Sequence, residues 1–300
     1  FKKGRLVTVN NFQGESEDSS ITVPEVALVM NISEKKKSAP VPKEHGAWFL
    51  LGHCVLIGAF VAGSFHFPVV LVSLSSFLVF IGMQGLKQLA RAVRRREHQI
   101  PIRVPWTSLA LLLGATIAGL RAIVGWDLAV LFYWGAVGAV LTSIYVGVVF
   151  RRKERSLLGE WWGILGLTSA AGVVWSAGTG KWGSIGFLLW ALAFLYFGGS
   201  VPYVRLRVRQ MKEGVLPWTS KEASHALLYS LCVLVIVAFG AWLLRVPSLV
   251  IVPFVLSLVK TIWAMTGQKA PRKIAHIGYS EAVMSTLFAV LIVAAFWPFP

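Results

Sequence analysis

A chain of 300 residues with 56% hydrophobic and 14% charged residues, at a mean hydropathy of +0.69, carries too few charged groups to cover a soluble surface. Its net charge of +16 does not make it a nucleic-acid binder, because the cations fall in short clusters between long apolar runs and not along one basic face. Cys54 and Cys232 both lie inside apolar runs without a CxxC neighbour, which argues against a disulfide framework or a thiolate metal site.

Residues 1 to about 41 are polar, mixed in charge and without a sustained period, and read as a disordered cytoplasmic tail. No charged stretch, short apolar core and small-residue cleavage site follow one another there, so a signal peptide is not expected. Residues 42–300 read as a polytopic helical domain. A hydrocarbon core about 30 Å thick needs roughly 20 apolar residues as helix. That ruler predicts nine spans: 45–64, 67–86, 105–124, 127–149, 160–178, 182–203, 224–244, 246–264 and 279–298. The narrowest boundaries are at Phe65-His66 and at Arg245.

With the N-terminus in the cytoplasm, all of the 29 lysines and arginines except Arg121, Lys181 and Arg245 fall on the inner side. This asymmetry is the positive-inside pattern and predicts a multi-pass protein of the cell membrane. Trp106, Trp126, Trp182 and Trp218 stand near span ends, at headgroup depth. Gly159-x-x-x-Gly163 and Gly135-x-x-Gly138 are candidate close-packing pairs, as glycine permits backbones to approach.

Pro105-Trp106-Thr107-Ser108 opens span three, and Pro217-Trp218-Thr219-Ser220 stands just before span seven. An offset of 116 superposes Gly82 on Gly198, Arg91 on Arg207 and Glu44 on Glu160. An even number of spans per unit makes both halves run in the same direction, so two parallel four-helix repeats with an added ninth helix are expected.

Ionisable groups at membrane depth are costly and usually functional. Here they sort to the inner ends: Lys43, Glu44 and His45 at span one, Glu160 at span five, Arg205 at the end of span six, His225 at span seven and Glu281 at span nine. A polar pocket therefore opens towards the cytoplasm, with those seven residues as its ligand-binding set. Each has a plainer role as well: Glu44, Glu160 and Glu281 suit the positive end of a helix dipole, His225 an interfacial position, and the arginine clusters topology and anionic lipid. No metal is expected. His45 and His53 are eight residues apart, about 12 Å along a helix, and cannot share an ion that takes nitrogen at about 2 Å.

Pro42-Lys43-Glu44-His45-Gly46-Ala47-Trp48 resembles the opening signature of the YwiC-like family of bacterial integral membrane proteins. The resemblance continues in Arg155-Ser156-Leu157-Leu158-Gly159-Glu160, in Leu195 to Arg205, and in Ile277-Gly278-Tyr279-Ser280-Glu281. It implies a membrane protein and no particular activity. At the level of architecture alone, the span count and repeat are also similar to UbiA-type prenyltransferases. Those enzymes hold magnesium on a diphosphate through aspartate-rich loops after spans two and six. The matching loops here, Lys87–Pro105 and Arg205–Ser220, contain no aspartate, and Asp18 and Asp127 are the chain's only ones. Magnesium prefers carboxylate oxygen, so that chemistry is disfavoured and no cofactor is expected.

The sequence thus predicts an all-α membrane protein whose partners are the bilayer and an anionic lipid or isoprenoid in an inward-facing pocket. Glu or His would serve any acid–base step. A transporter and a structural or assembly subunit of a membrane complex stand as alternatives.

Overall fold

The computed structural model describes residues 45–95, 103–151, 153, 156–214, 218–266 and 274–297. The tail expected over residues 1–41 lies outside them, as do Lys43 and Glu44. All the described residues fall within the compact unit Pro40–Pro300.

Among the described residues the chain forms nine α-helices and no strand. They are α1 (His45–Ala62), α2 (Phe67–Arg95), α3 (Arg103–Trp126), α4 (Val130–Phe150), α5 (Leu157–Thr179), α6 (Ser184–Glu213), α7 (Lys221–Leu244), α8 (Val252–Thr266) and α9 (Ile274–Phe296). Eight spans are long and apolar enough to cross a bilayer, α8 counting as one together with the 3-10 turn before it, as Ser248–Thr266; the apolar stretch of α1, Gly46–Ala62, is shorter. The protein is an all-α membrane protein, with large apolar side chains such as Val124, Phe132, Trp242 and Trp263 turned outward. In lipid such a surface needs no cover, and helices satisfy every backbone group internally.

The helices differ from the predicted spans chiefly at their ends. α2 and α6 run about nine and ten residues beyond the apolar stretch, because Lys, Arg, Gln and Leu continue a helix into water readily. α9 begins five residues earlier than predicted, which moves Glu281 from the first turn to the second. α7 begins at Lys221 because Ser220 caps it, its hydroxyl accepting from the Ala223 amide. Arg245 is a one-residue corner in the left-handed region, at φ 53°, and a 3-10 turn over Ser248–Ile251 leads into α8. Pro253 explains that lead-in, since proline is tolerated only in the first turn of a helix.

α5 is the central helix and lies against α1, α2, α4 and α6. Its approach to these neighbours depends on missing side chains. A Cβ on Gly58 of α1 would stand 2.5 Å from the Ala171 carbonyl oxygen of α5. One on Gly172 would meet the Trp134 ring at 2.5 Å and the Gly186 carbonyl of α6 at 2.6 Å. Such contacts are the usual means of helix association in lipid, where apolar surface is no driving force. Gly135 and Gly138 instead face open space. Close packing therefore falls at other glycines, where the neighbour presents backbone or a rigid ring.

In the two four-helix groups, α2 lies along α3 and α6 along α7. The groups differ elsewhere: α5 lies along α6, whereas α1 touches α2 only lightly and pairs with α5 instead. α9 closes the bundle against α1, α6 and α8. His53 joins α1 to α9, its Nε2 lying 3.0 Å from the Thr286 hydroxyl while Nδ1 faces the Phe49 carbonyl. Tyr196 of α6 stacks on Phe288 of α9 at 4.0 Å between centroids and donates its hydroxyl to the Met284 carbonyl at 2.8 Å.

Side-chain contacts identify which helix ends meet. Glu160 near the start of α5 pairs with Arg205 towards the end of α6, and Arg209 pairs with Glu222 at the start of α7. Lys260 late in α8 pairs with Glu281 early in α9, and Lys87 late in α2 lies over Tyr145 late in α4. This is the basic end. At the opposite end Phe67 packs on Trp126, and Tyr133 and Trp134 pack on Trp182.

Candidate functional site

A cavity of about 1900 Å³ is bounded by α1 to α6 and α9. Through most of its length the lining is apolar, from Leu131 and Ile123 past Leu120, Leu167 and Leu112 to Phe80. At the basic end it becomes polar, with Gln84, Lys87, Tyr145, Glu160, Arg205 and Glu281. Gly135, Gly138 and Gly166 also line it, and nothing within 4 Å would oppose a side chain at any of them.

Glu160 reaches this lining from the first turn of α5. Ser156 caps that helix, its hydroxyl accepting from the Gly159 amide at 3.1 Å, so the Glu160 carboxylate is left to receive Arg205 at 3.0 Å. Both side chains are 37% exposed, so the pair contributes about 0–1 kcal/mol to stability. Its consequence is positional: it fixes the guanidinium at the cavity mouth.

Glu281 is held differently. Lys260 Nζ donates to one carboxylate oxygen at 2.5 Å, and the Ser200 hydroxyl donates to the other at 2.8 Å. The lysine and glutamate side chains are only 14% and 17% exposed, and the ammonium also lies 4.1 Å from the centroid of the Tyr203 ring. Glu281 is seven residues into α9, about 10 Å along the helix axis. It is therefore a carboxyl group inside the bundle whose two oxygens each have a donor, one of them its counter-charge Lys260.

The α6 backbone beside these groups is interrupted. Pro202 has no N–H, so the carbonyl of Gly198 lacks its ordinary helical donor. Trp161, adjacent to Glu160 on α5, supplies the indole N–H to that carbonyl at 3.2 Å. Gly198 and Gly199 make room for Tyr229 of α7, whose hydroxyl donates to the Leu195 carbonyl at 3.0 Å. The start of α5 thus grips α6 on both sides of the proline, by Trp161 at Gly198 and by Glu160 at Arg205.

Of the residues expected at a site, Glu160, Arg205 and Glu281 line the one cavity. His45 opens α1, and the next residues, Gly46 and Ala47, are at the cavity wall. His225 is exposed on the second turn of α7 and does not line it. Lys43 and Glu44 lie outside the described residues. Sequence reasoning passed over Lys87, Tyr145, Ser200 and Tyr203. Lys87 read as one more topology cation, Ser200 and Tyr203 lay within the Leu195–Arg205 resemblance without being singled out, and nothing local marked Tyr145. Among the described residues no three of His, Cys, Asp and Glu gather as a metal site would require.

A family model described as YwiC-like protein matches residues 41–175, which span α1 to most of α5. The matched segment holds Lys87, Tyr145 and Glu160, while Arg205, Lys260 and Glu281 lie beyond it. No curated protein and no solved structure matches the chain.

Proposed function

We propose, for a chain whose residues 41–175 match the YwiC-like family, that it is a multi-pass membrane protein holding an amphipathic, anionic lipid-like or isoprenoid ligand. The single observation that supports this reading is the cavity itself: about 1900 Å³, apolar along its length and ionisable only at its basic end. That polarity matches a molecule with a long apolar tail and a charged head. Ligand sites are typically concave and mostly apolar with a few converging polar groups. Arg205 and Lys87 suit an anionic head, and the walls from Leu131 to Phe80 suit the tail. The basic end is proposed to face the cytoplasm of a cell membrane, since cations collect on cytoplasmic loops.

The test is retention of lipid by protein purified in a neutral detergent, read by native mass spectrometry. Gly135→Phe adds a ring at a cavity-lining position where a Cβ would meet nothing within 4 Å. It is expected to remove the bound lipid while leaving the melting temperature within a few degrees of wild type. Retention of the same lipid by a folded Gly135→Phe protein defeats the reading.

A further inference from the structure

The charges lining the cavity are two cations and two carboxylates, but Lys260, from outside the lining, takes up Glu281 and leaves one lining cation over. Among the described lining residues the groups charged at neutral pH are Lys87, Glu160, Arg205 and Glu281. Glu160 is matched by Arg205 at 3.0 Å and Glu281 by Lys260 at 2.5 Å, so each carboxylate already has a cation. No carboxylate among the described residues pairs with Lys87. Its ammonium lies 4.9 Å from the centroid of the Tyr145 ring instead. Tyr145 is in turn seated against α5, since a Cβ on Gly163 would meet the ring at 3.4 Å and the hydroxyl at 3.7 Å. No described residue takes a hydrogen bond from that hydroxyl. Lys87 stands 20 residues beyond Phe67, about 30 Å along α2, which is one hydrocarbon thickness from the opposite end. A head group at the boundary of the apolar zone would meet it there.

We infer that the cavity selects an amphiphile whose head carries a single negative charge, held by the Lys87 ammonium and the Tyr145 hydroxyl. This rests on the ligand-holding reading above and narrows it. One uncompensated cation balances one negative charge. A head bearing two or three, such as a diphosphate, would carry charge that the described lining leaves unbalanced, since Arg205 is already matched by Glu160. Lys87 is a compact ammonium with donors to spare for one anionic oxygen, and the tyrosine hydroxyl can donate to a second. A membrane phosphodiester and a free fatty acid both offer this chemistry, and the probes below separate them.

The experiment compares retention of phosphatidylglycerol, oleate, phosphatidylcholine and farnesyl diphosphate by purified protein in a neutral detergent. Phosphatidylglycerol or oleate is expected to exceed both phosphatidylcholine and farnesyl diphosphate by roughly tenfold, the scale of one charge-assisted hydrogen bond. Lys87→Gln abolishes that preference, Lys87→Arg keeps most of it, and Tyr145→Phe lowers it a few-fold. Lys212→Gln, exposed on α6 and away from the cavity, leaves it unchanged. Preference persisting in Lys87→Gln while Gly135→Phe removes the lipid overturns this assignment and leaves the cavity reading standing. Retention unaffected by Gly135→Phe overturns both. Farnesyl diphosphate bound more tightly than phosphatidylglycerol overturns the charge argument.

Discussion

Removing one member of the Lys260–Glu281 pair should cost far more than removing both. At 2.5 Å and an effective dielectric near 20, the attraction between two unit charges is about 6–7 kcal/mol before desolvation. Desolvation of each ion costs several kcal/mol, so the pair as a whole is close to neutral against apolar residues of similar volume. A single loss is different, because the surviving charge stays at 14% or 17% exposure inside the bundle without its partner. Glu281→Leu and Lys260→Met should therefore each destabilise by about 3–5 kcal/mol, and the double variant by about 0–2 kcal/mol. The Tyr203 ring, 4.1 Å from the ammonium, keeps the Glu281→Leu cost towards the lower figure. Reversible unfolding in mixed micelles, followed by tryptophan fluorescence, measures all four corners of the cycle. A double variant whose cost equals the sum of the singles to within about 0.5 kcal/mol would falsify the coupling.

Two other expectations follow from the same end of the bundle. Trp161→Phe should cost about 1–2 kcal/mol in the native chain, because the Gly198 carbonyl then loses the donor that replaces the missing proline N–H. In a Pro202→Ala background, where the backbone restores that donor, the cost should fall by at least half; equal costs in both backgrounds refute the account. For topology, a Cys54→Ala, Cys232→Ala chain carrying Lys181→Cys should react with an impermeant maleimide on intact cells, while Lys212→Cys should react only after permeabilisation. Labelling of both from the same side would overturn the proposed orientation.

The sequence reading located the helices well because the signal for each is local. Solvent preference alone fixes where about 20 consecutive apolar residues begin and end, and each helix completes its own backbone hydrogen bonds. It located the ends less well. α2 and α6 outrun the apolar stretch by almost three turns, since hydropathy reports the depth of lipid and not the length of helix. At the candidate site, Glu160, Arg205 and Glu281 were legible because an ionisable residue at a span end is conspicuous. Their partners were not. Lys260 is 21 residues from Glu281, Ser200 is 81 residues away, and nothing near any of them in the chain indicates the pairing.

Composition and patterning suffice to specify an all-α membrane protein with its cations gathered at one set of helix ends. Helix packing adds that α5 is central, that Lys87 meets Tyr145, and that His225 lies away from the cavity lined by Glu160, Arg205 and Glu281. The physical reason is the solvent. Lipid removes the hydrophobic incentive for one helix to choose another, so the choice falls to surface shape: a glycine such as Gly58 or Gly172 opposite a neighbour's backbone or ring. Such a fit belongs to two helices at once and is written in neither alone.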